Sequence, residues 1–168
     1  MIGEIDVRDL LGAPGSSREV VVSGELEGLG SEVATLAAGS PVRGELLLES
    51  VVEGILVSGR LTAVLACRCA RCLREFEEPL ALDVSELFVL EPYPDGDEYP
   101  MDPEGSLAPE QMMRDAIGLE LPFSPLCTPG CLGLCERCGG DRNLGECSCE
   151  PEPDHRWAPL ERLLQDLN

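Results

Sequence analysis

Alternating apolar and polar residues dominate the middle of the chain, over residues 42–89. Residues 51–65 are rich in β-branched side chains, with glycines at positions typical of bulges or bends. Beyond a cysteine-bearing segment, residues 67–72, apolar side chains continue in mainly alternating steps from Phe76 onwards. Such alternation is typical of strands with one buried face. The pattern predicts two long antiparallel strands joined by a turn that carries cysteines.

The segments on either side of this region carry weaker patterns. Residues 5–11 favour a short strand or turn, residues 20–22 are strand-like, and residues 23–40 are predicted to be irregular because glycine, serine and alanine are frequent there. Residues 91–110 are acidic and proline-rich, which favours a mobile loop.

A short helix is predicted after this loop. Pro109 suits its first turn, and Met113, Ile117 and Leu121 recur at steps of four residues, so they share one helical face. Pro122 ends the helix because proline lacks the backbone N–H that the ladder requires.

Together these elements predict an α+β protein in three parts. A β-rich, antiparallel body with the acidic loop and the short helix spans residues 1–122. A cysteine-rich, zinc-ribbon-like lobe spans residues 123–150. Residues 151–168, with Trp157 and several leucines at helical spacing, form a predicted helical tail.

The charge balance narrows the range of partners. The chain has 168 residues and a formal net charge of −20, from 32 acidic residues and 12 basic ones, all arginine. Nucleic-acid binding depends on clustered basic side chains that neutralise phosphates, so direct RNA contact is disfavoured. A basic protein is the favoured partner.

The sequence also predicts where the protein works. Its first residues carry acids where a signal peptide has bases, and no apolar run approaches the roughly 20 residues of a membrane span. We therefore expect a cytoplasmic protein without membrane contact. In a reducing compartment, nine cysteines indicate metal ligands or redox groups rather than disulfides.

The strongest candidate site lies near the C-terminus. Cys135 and Cys138 form a C-x-x-C pair followed by glycine, and Cys147 and Cys149 form a second pair nine residues on. A glycine after the second cysteine lets the backbone turn back with positive φ, as in a zinc knuckle. This spacing predicts a Zn²⁺ ion bound by four cysteines.

A second zinc site is predicted from the remaining cysteines. Cys69 and Cys72 form another C-x-x-C pair on the β turn, and Cys127 and Cys131 precede the first site. Four thiolates from these residues would attach the lobe to the sheet. Cys67 is left over as a structural strand thiol, although it could replace Cys69 as a ligand.

The hypothesis that the protein is an enzyme receives little support from the sequence. The single histidine, His155, is interpreted as a solvated or helix-capping side chain, and no phosphate-binding glycine loop follows a strand. We expect no catalytic residue and no small-molecule substrate. Arg71 and Arg137 flank the cysteines, either as charge compensation for thiolates or as solvent-facing loop residues. A related alternative is that these arginines form a local basic patch for direct RNA binding.

The combined motifs resemble the YceD family, the large ribosomal RNA subunit accumulation proteins. The resemblance covers essentially the whole chain and is carried by short motifs, namely Cys69, Arg71, Cys72, Leu73 and Phe76, then Leu121-Pro122, Pro125-Leu126-Cys127, Cys131 to Cys135, Cys138-Gly139, Asn143-Leu144, Cys147 to Cys149 and the Trp157-bearing tail. Two departures are the extra Cys67 and the residue His155, where the family has proline.

This resemblance implies a non-enzymatic protein needed for normal levels of large-subunit ribosomal RNA. Its expected partner is a basic ribosomal protein or a pre-ribosomal particle, because an acidic surface attracts basic segments. The expected cofactor is Zn²⁺, at two sites or at least one.

Overall fold

A computed structural model describes residues 2–94, 96–149 and 156. The predicted helical tail, including His155 and Trp157, lies outside the described residues. The β-strands are β1 Ile5–Asp6, β2 Ser17–Gly24, β3 Ala34–Leu36, β4 Val42–Ser50, β5 Ile55–Arg68, β6 Glu75–Val89, β7 Tyr99–Asp102 and β8 Ser106–Leu107. One α-helix, α1 Glu110–Glu120, and a 3₁₀ turn, Arg142–Leu144, complete the described elements.

The centre of the fold is the long hairpin of β5 and β6. The two strands have 14 and 15 residues and pair antiparallel from Ile55 opposite Phe88 to Arg68 opposite Glu75. The alternation of side chains turns one face of β5 inwards, where Leu61 is fully buried. The predicted hairpin with a cysteine-bearing turn is confirmed.

The sheet curls so that its two edge strands, β1 and β2, approach each other. The strand order is β1-β8-β7-β6-β5-β4-β2, and β3 pairs with β5 beyond the end of β4. Arg18, on β2 at one edge, donates to both carboxylate oxygens of Asp9 and to the backbone carbonyl of Asp6, on β1 at the other edge. The curl leaves a concave side for the core.

The helix closes the core at this concave side. Met112, Met113 and Ile117 of α1 are fully buried in one cluster with Phe88 and the inward-facing residues of β4 and β5. The predicted helix after Pro109 is confirmed, as is the α+β class. Of the predicted apolar face, Met113 and Ile117 lie on the helix, whereas Leu121 follows its last residue, Glu120, in extended conformation. No helix in the described part of the chain is long and apolar enough to cross a membrane.

Two predicted loops contain strands. β7 and β8 lie within residues 91–110, and β3 lies within residues 23–40, so the predictions of unbroken loops there were wrong. Burial explains the difference, because Met101 and Leu107 enter the core at 4% and 1% exposure. The partition into residues 1–122, 123–150 and 151–168 stays a prediction.

Gly59 on β5 provides a test of the close approach between β5 and β4. Its φ is +151°, and a Cβ atom there would lie 2.1 Å from the backbone oxygen of Glu45 on β4. We expect Gly59→Ala to lower the free energy of unfolding by about 2 kcal/mol or more, through strain and steric clash. Gly130→Ala is the control, since nothing lies within 4 Å of its added Cβ. Equal urea midpoints for the two variants would contradict the packing argument.

Candidate metal centres

Four cysteines meet between the tip of the long hairpin and the segment after α1. Cys69 and Cys72 come from the turn between β5 and β6, and Cys127 and Cys131 come from the later segment. Their Sγ atoms all lie within 4.8 Å of one another. The Sγ atoms of Cys69 and Cys131 are 3.8 Å apart, and those of Cys72 and Cys127 are 3.6 Å apart. We call this group the hairpin cluster.

The hairpin turn directs its two sulfurs to the same side. The backbone N–H of Cys69 donates to the carbonyl of Arg74 at 2.8 Å, and the N–H of Leu73 donates back to the carbonyl of Cys69 at 3.0 Å. Leu73 has a φ of 60°, the only described non-glycine residue with positive φ. This tight turn brings Cys72 back beside Cys69, as its C-x-x-C spacing predicts.

The other four cysteines form a second group in the C-terminal lobe. The Sγ atoms of Cys135, Cys138, Cys147 and Cys149 also lie within 4.8 Å of one another. Gly139 has a φ of 72°, and its N–H donates to the carbonyl of Cys135 at 2.8 Å. The glycine therefore provides the reverse turn expected from the sequence. We call this group the lobe cluster.

The donor sets fit a tetrahedral metal. Bonds of about 2.3 Å from zinc to sulfur place neighbouring sulfurs roughly 3.8 Å apart, which the hairpin cluster matches. Disulfide sulfurs would be only about 2.05 Å apart, and all nine cysteines are unpaired. Four sulfur ligands select a soft or borderline metal, above all zinc or iron. Both clusters could hold a metal ion.

Each cluster contains one thiol that ionises readily. Burial raises the pKa of Cys69, but backbone N–H groups, above all that of Cys127, donate to its sulfur and bring the pKa down to about 6. The backbone N–H of Cys138 is the largest influence on Cys135 and helps to lower its pKa to about 6 as well. Hydrogen bonds from N–H groups favour the thiolate form.

Cys72 and Cys149, one thiol in each cluster, resist ionisation. The N–H of Arg74 lowers the pKa of Cys72, but burial and the adjacent sulfurs outweigh it and raise the pKa to about 12. The sulfurs of Cys138 and Cys147 raise the pKa of Cys149 to about 12. Sulfurs this close cannot all carry charge without a cation, since like charges repel. A divalent metal would remove that repulsion and deprotonate them.

Asn143 connects the two clusters, a role that the cysteine spacing did not predict. It lies between the cysteine pairs of the lobe cluster, yet its Nδ2 atom is 3.5 Å from the Sγ of Cys131 in the hairpin cluster. Its Oδ1 accepts from the N–H of Leu132 at 2.8 Å. Asp141 fixes the Asn143 side chain with a 2.7 Å hydrogen bond. An Asp-x-Asn capping pair between two cysteine pairs was the available signal.

Two of the arginines near the cysteines are engaged within the protein. Arg71 donates from Nη1 to the carbonyl of Cys131 at 2.9 Å, and its own carbonyl accepts from the N–H of Leu134 at 3.0 Å. Arg74 forms an ion pair of 3.4 Å with Asp141. Both arginines therefore hold the lobe against the hairpin turn, in addition to any effect of their charge on the thiolates.

Cys67 belongs to neither cluster. It is 3% exposed and packs with Ala34 and Leu65 on the inner face of β5. Burial raises the pKa of its thiol, and its apolar surroundings separate it from the sulfurs that approach one another within 4.8 Å. This placement matches the expectation of a strand thiol.

Comparisons with known proteins identify one family that matches most of the chain. The family model described as "Large ribosomal RNA subunit accumulation protein YceD" matches residues 57–164, a range that contains both clusters. No solved structure gives a significant match.

The matching relatives are bacterial and chloroplast proteins. An uncharacterized protein of Mycobacterium tuberculosis H37Rv is 36% identical over 144 residues, which is 81% of this chain and 68% of the relative. An uncharacterized protein of Mycobacterium leprae is 32% identical over 142 residues, 81% of this chain and 65% of the relative. A chloroplastic homolog of Arabidopsis thaliana, named a large ribosomal RNA subunit accumulation protein, is 32% identical over 56 residues, 33% of this chain and 17% of the relative.

The contacts of Asn143 predict that the lobe supports metal binding in the hairpin cluster. Asn143→Ala removes the donor to the Cys131 sulfur, and loss of such a partner typically weakens metal affinity about 10- to 100-fold. We expect faster alkylation of Cys127 and Cys131 than in the unchanged protein during chelator challenge, followed by mass spectrometry. Leu144→Ala, at a neighbouring side chain that is 65% exposed, is the control. Equal acceleration at all eight clustered cysteines would refute a specific effect on the hairpin cluster.

Proposed function

The chain belongs to the YceD family of large ribosomal RNA subunit accumulation proteins, and from this we propose that it supports that accumulation as a non-enzymatic, cytoplasmic binding factor. The observation that carries the proposal is the family match across residues 57–164, which contain the hairpin turn and both cysteine clusters. The name of the chloroplastic relative supports the same role.

We propose a basic ribosomal protein, alone or within a pre-ribosomal particle, as the partner. The net charge is −20, and six arginines are already paired with acids in the described residues. Two divalent ions held by four thiolates each would deepen the total charge to about −24. Such a charge attracts a basic protein and repels phosphates.

We further propose that both clusters hold structural Zn²⁺, with Cys69, Cys72, Cys127 and Cys131 as one ligand set and Cys135, Cys138, Cys147 and Cys149 as the other. The support is the approach of the four sulfurs of each cluster to within 4.8 Å of one another, and the scarcity of buried side chains in the lobe. Within residues 132–149, Cys135 is the one buried cysteine of the lobe cluster. Metal binding then provides the folding free energy that a core would supply elsewhere.

Replacing one ligand in each cluster tests the zinc proposal. We expect two zinc ions per chain by elemental analysis, and one in Cys135→Ser. That variant should lose amide-exchange protection in residues 132–149 and keep it in β4, β5 and β6, since metal binding supplies roughly 10 kcal/mol or more to a site of this kind. Cys72→Ser should instead free the lobe from the hairpin turn. Iron in place of zinc, or unchanged protection in Cys135→Ser, would overturn the proposal.

The partner proposal predicts binding that depends strongly on salt. We expect the protein to bind basic large-subunit ribosomal proteins, with an association rate that falls steeply between roughly 0.1 and 0.3 M salt, where screening lengths drop below about 10 Å. Replacing the loop acids Glu91 and Asp97 by amides should slow association further, without changing the fold. Stopped-flow titrations at several salt concentrations measure both effects.

Parallel titration with fragments of large-subunit ribosomal RNA tests the alternative function. Tight, salt-resistant binding to naked RNA that is lost in Arg137→Ala would overturn the basic-protein proposal and establish direct RNA binding instead. Weak RNA binding that leaves the ribosomal proteins as the tighter ligands would support it.

A further inference from the structure

An open groove of about 620 Å³ lies between the start of β6 and the segment that follows α1. Phe76, Glu77 and Glu78 line it from β6, while Pro122, Pro125 and Leu126 line it from the later segment. Phe123, between two residues that line the groove, is 97% exposed. The groove therefore combines apolar surface with carboxylates at one end of the molecule.

The proline-bearing wall of this groove is held firmly in place. The carbonyl of Pro125 accepts from the N–H of Ala70 in the hairpin turn at 2.8 Å. Leu126 packs against the hairpin cluster, and Cys127, which also lines the groove, is one of its members. A preformed wall lowers the entropic penalty of binding a segment of another protein.

A second groove continues the acidic surface on the other side of Phe76. It has a volume of about 490 Å³, and Phe76 and Glu77 line both grooves. Glu32 and Glu75 add two carboxylates, and Arg68 is the one basic residue of its lining. Four carboxylates thus face a single guanidinium across the two grooves.

The four carboxylates outnumber the one basic residue of the linings, Arg68, which lies opposite Glu75 in the β5–β6 pairing. None forms a hydrogen bond or ion pair within the described part of the chain, whereas Asp83, further along β6, is paired with Arg60 at 2.8 Å. A ligand with positive charges would therefore find acceptors that no internal partner occupies.

The neighbouring edge of β6 favours an extended ligand. β6 pairs with β5 along its length, but on its other edge only Phe88 and Val89 pair with another described strand. Pro79 lies on β6 without an N–H to donate, as is common on edge strands. An open strand edge can align an extended peptide beside it, along the first groove, whereas the second groove lies across β3, β5 and β6.

We propose that these two grooves, which we call the tip grooves, dock an extended segment of a basic protein in which Lys or Arg residues are interspersed with apolar residues. The apolar side chains would enter beside Phe76 and Leu126, and the basic ones would reach Glu77, Glu78 and Glu75. This proposal rests on the proposed function, binding of a basic protein, and assigns that binding to the tip grooves. A second copy of this chain or a nucleic acid would meet like charge here.

Peptides of matched length test the chemistry of the tip grooves. The probes are three acetylated dodecapeptide amides that alternate Lys with Leu, Lys with Gly, or Glu with Leu. We expect the Lys–Leu peptide to bind at least tenfold more tightly than either of the others in fluorescence titration. In amide NMR spectra, its addition should shift residues 76–78 and 124–128. Shifts confined to other parts of the chain would overturn the proposal, and this measurement needs no variant.

Charge reversal at two sites then separates the grooves from the overall field. Glu77→Lys/Glu78→Lys should weaken the Lys–Leu peptide at least tenfold. Glu19→Lys/Glu53→Lys changes the net charge equally on β2 and in the β4–β5 turn, at the far end of the hairpin, and should weaken it less than threefold. Equal losses of peptide affinity in the two double variants would refute a localised site.

Filling the groove tests the apolar contacts without a change of charge. Ser124→Trp should weaken the same peptide at least fivefold, while Ser85→Trp, at an exposed position further along β6, should leave affinity unchanged. Unchanged affinity in Ser124→Trp would contradict apolar docking there.

The same variants distinguish this site from the function that it serves. If Glu77→Lys/Glu78→Lys binds basic ribosomal proteins as tightly as the unchanged protein does, the tip grooves are not the site, but the partner proposal stands. If the unchanged protein binds no basic ribosomal protein, the partner proposal fails regardless of the peptide result.

Discussion

The convergence of four sulfurs at the hairpin tip is the constraint on which the rest of the structure depends. Cys69 and Cys72 sit at the end of the longest strands, and Cys127 and Cys131 are more than 50 residues further along the chain. Bringing their Sγ atoms within 4.8 Å fixes where the chain runs after α1. The lobe, the proline-bearing wall of the tip grooves and the position of Arg71 all follow from that placement.

Paired and unpaired charges are distributed unevenly between the body and the hairpin tip. Most of the arginines with described ion pairs lie on the sheet and helix, for example Arg60 with Asp83 and Arg114 with Glu110, so the charge of the body is partly compensated there. Exposed ion pairs contribute little to the free energy of unfolding, but they reduce the local electrostatic potential. Near the hairpin tip, Glu75, Glu77 and Glu78 form no such ion pair within the described residues. Carboxylates that attract a cationic segment therefore lie on the surface that the hairpin cluster shapes.

Sequence reasoning succeeded where local pattern determines structure and failed where distant contacts do. Alternation was enough for β5 and β6, and cysteine spacing was enough to group the eight clustered sulfurs. β8 has two residues, so its pairing with β1 depends on burial of Leu107 rather than on any local preference. Asn143 was missed because its partner sulfur belongs to the other cluster.

The entropic cost of loop closure differs between the two clusters, and this difference suggests an order of folding. The lobe cluster closes within residues 135–149, whereas the hairpin cluster must join residue 69 to residue 131, a loop roughly four times longer. Each doubling of loop length adds only about 0.6 kcal/mol of entropic cost, so the difference is about 1.2 kcal/mol. The lobe can therefore order locally before it docks. Once it is ordered, Asn143 is already positioned to donate to Cys131, so the local cluster prepares a ligand of the distant one.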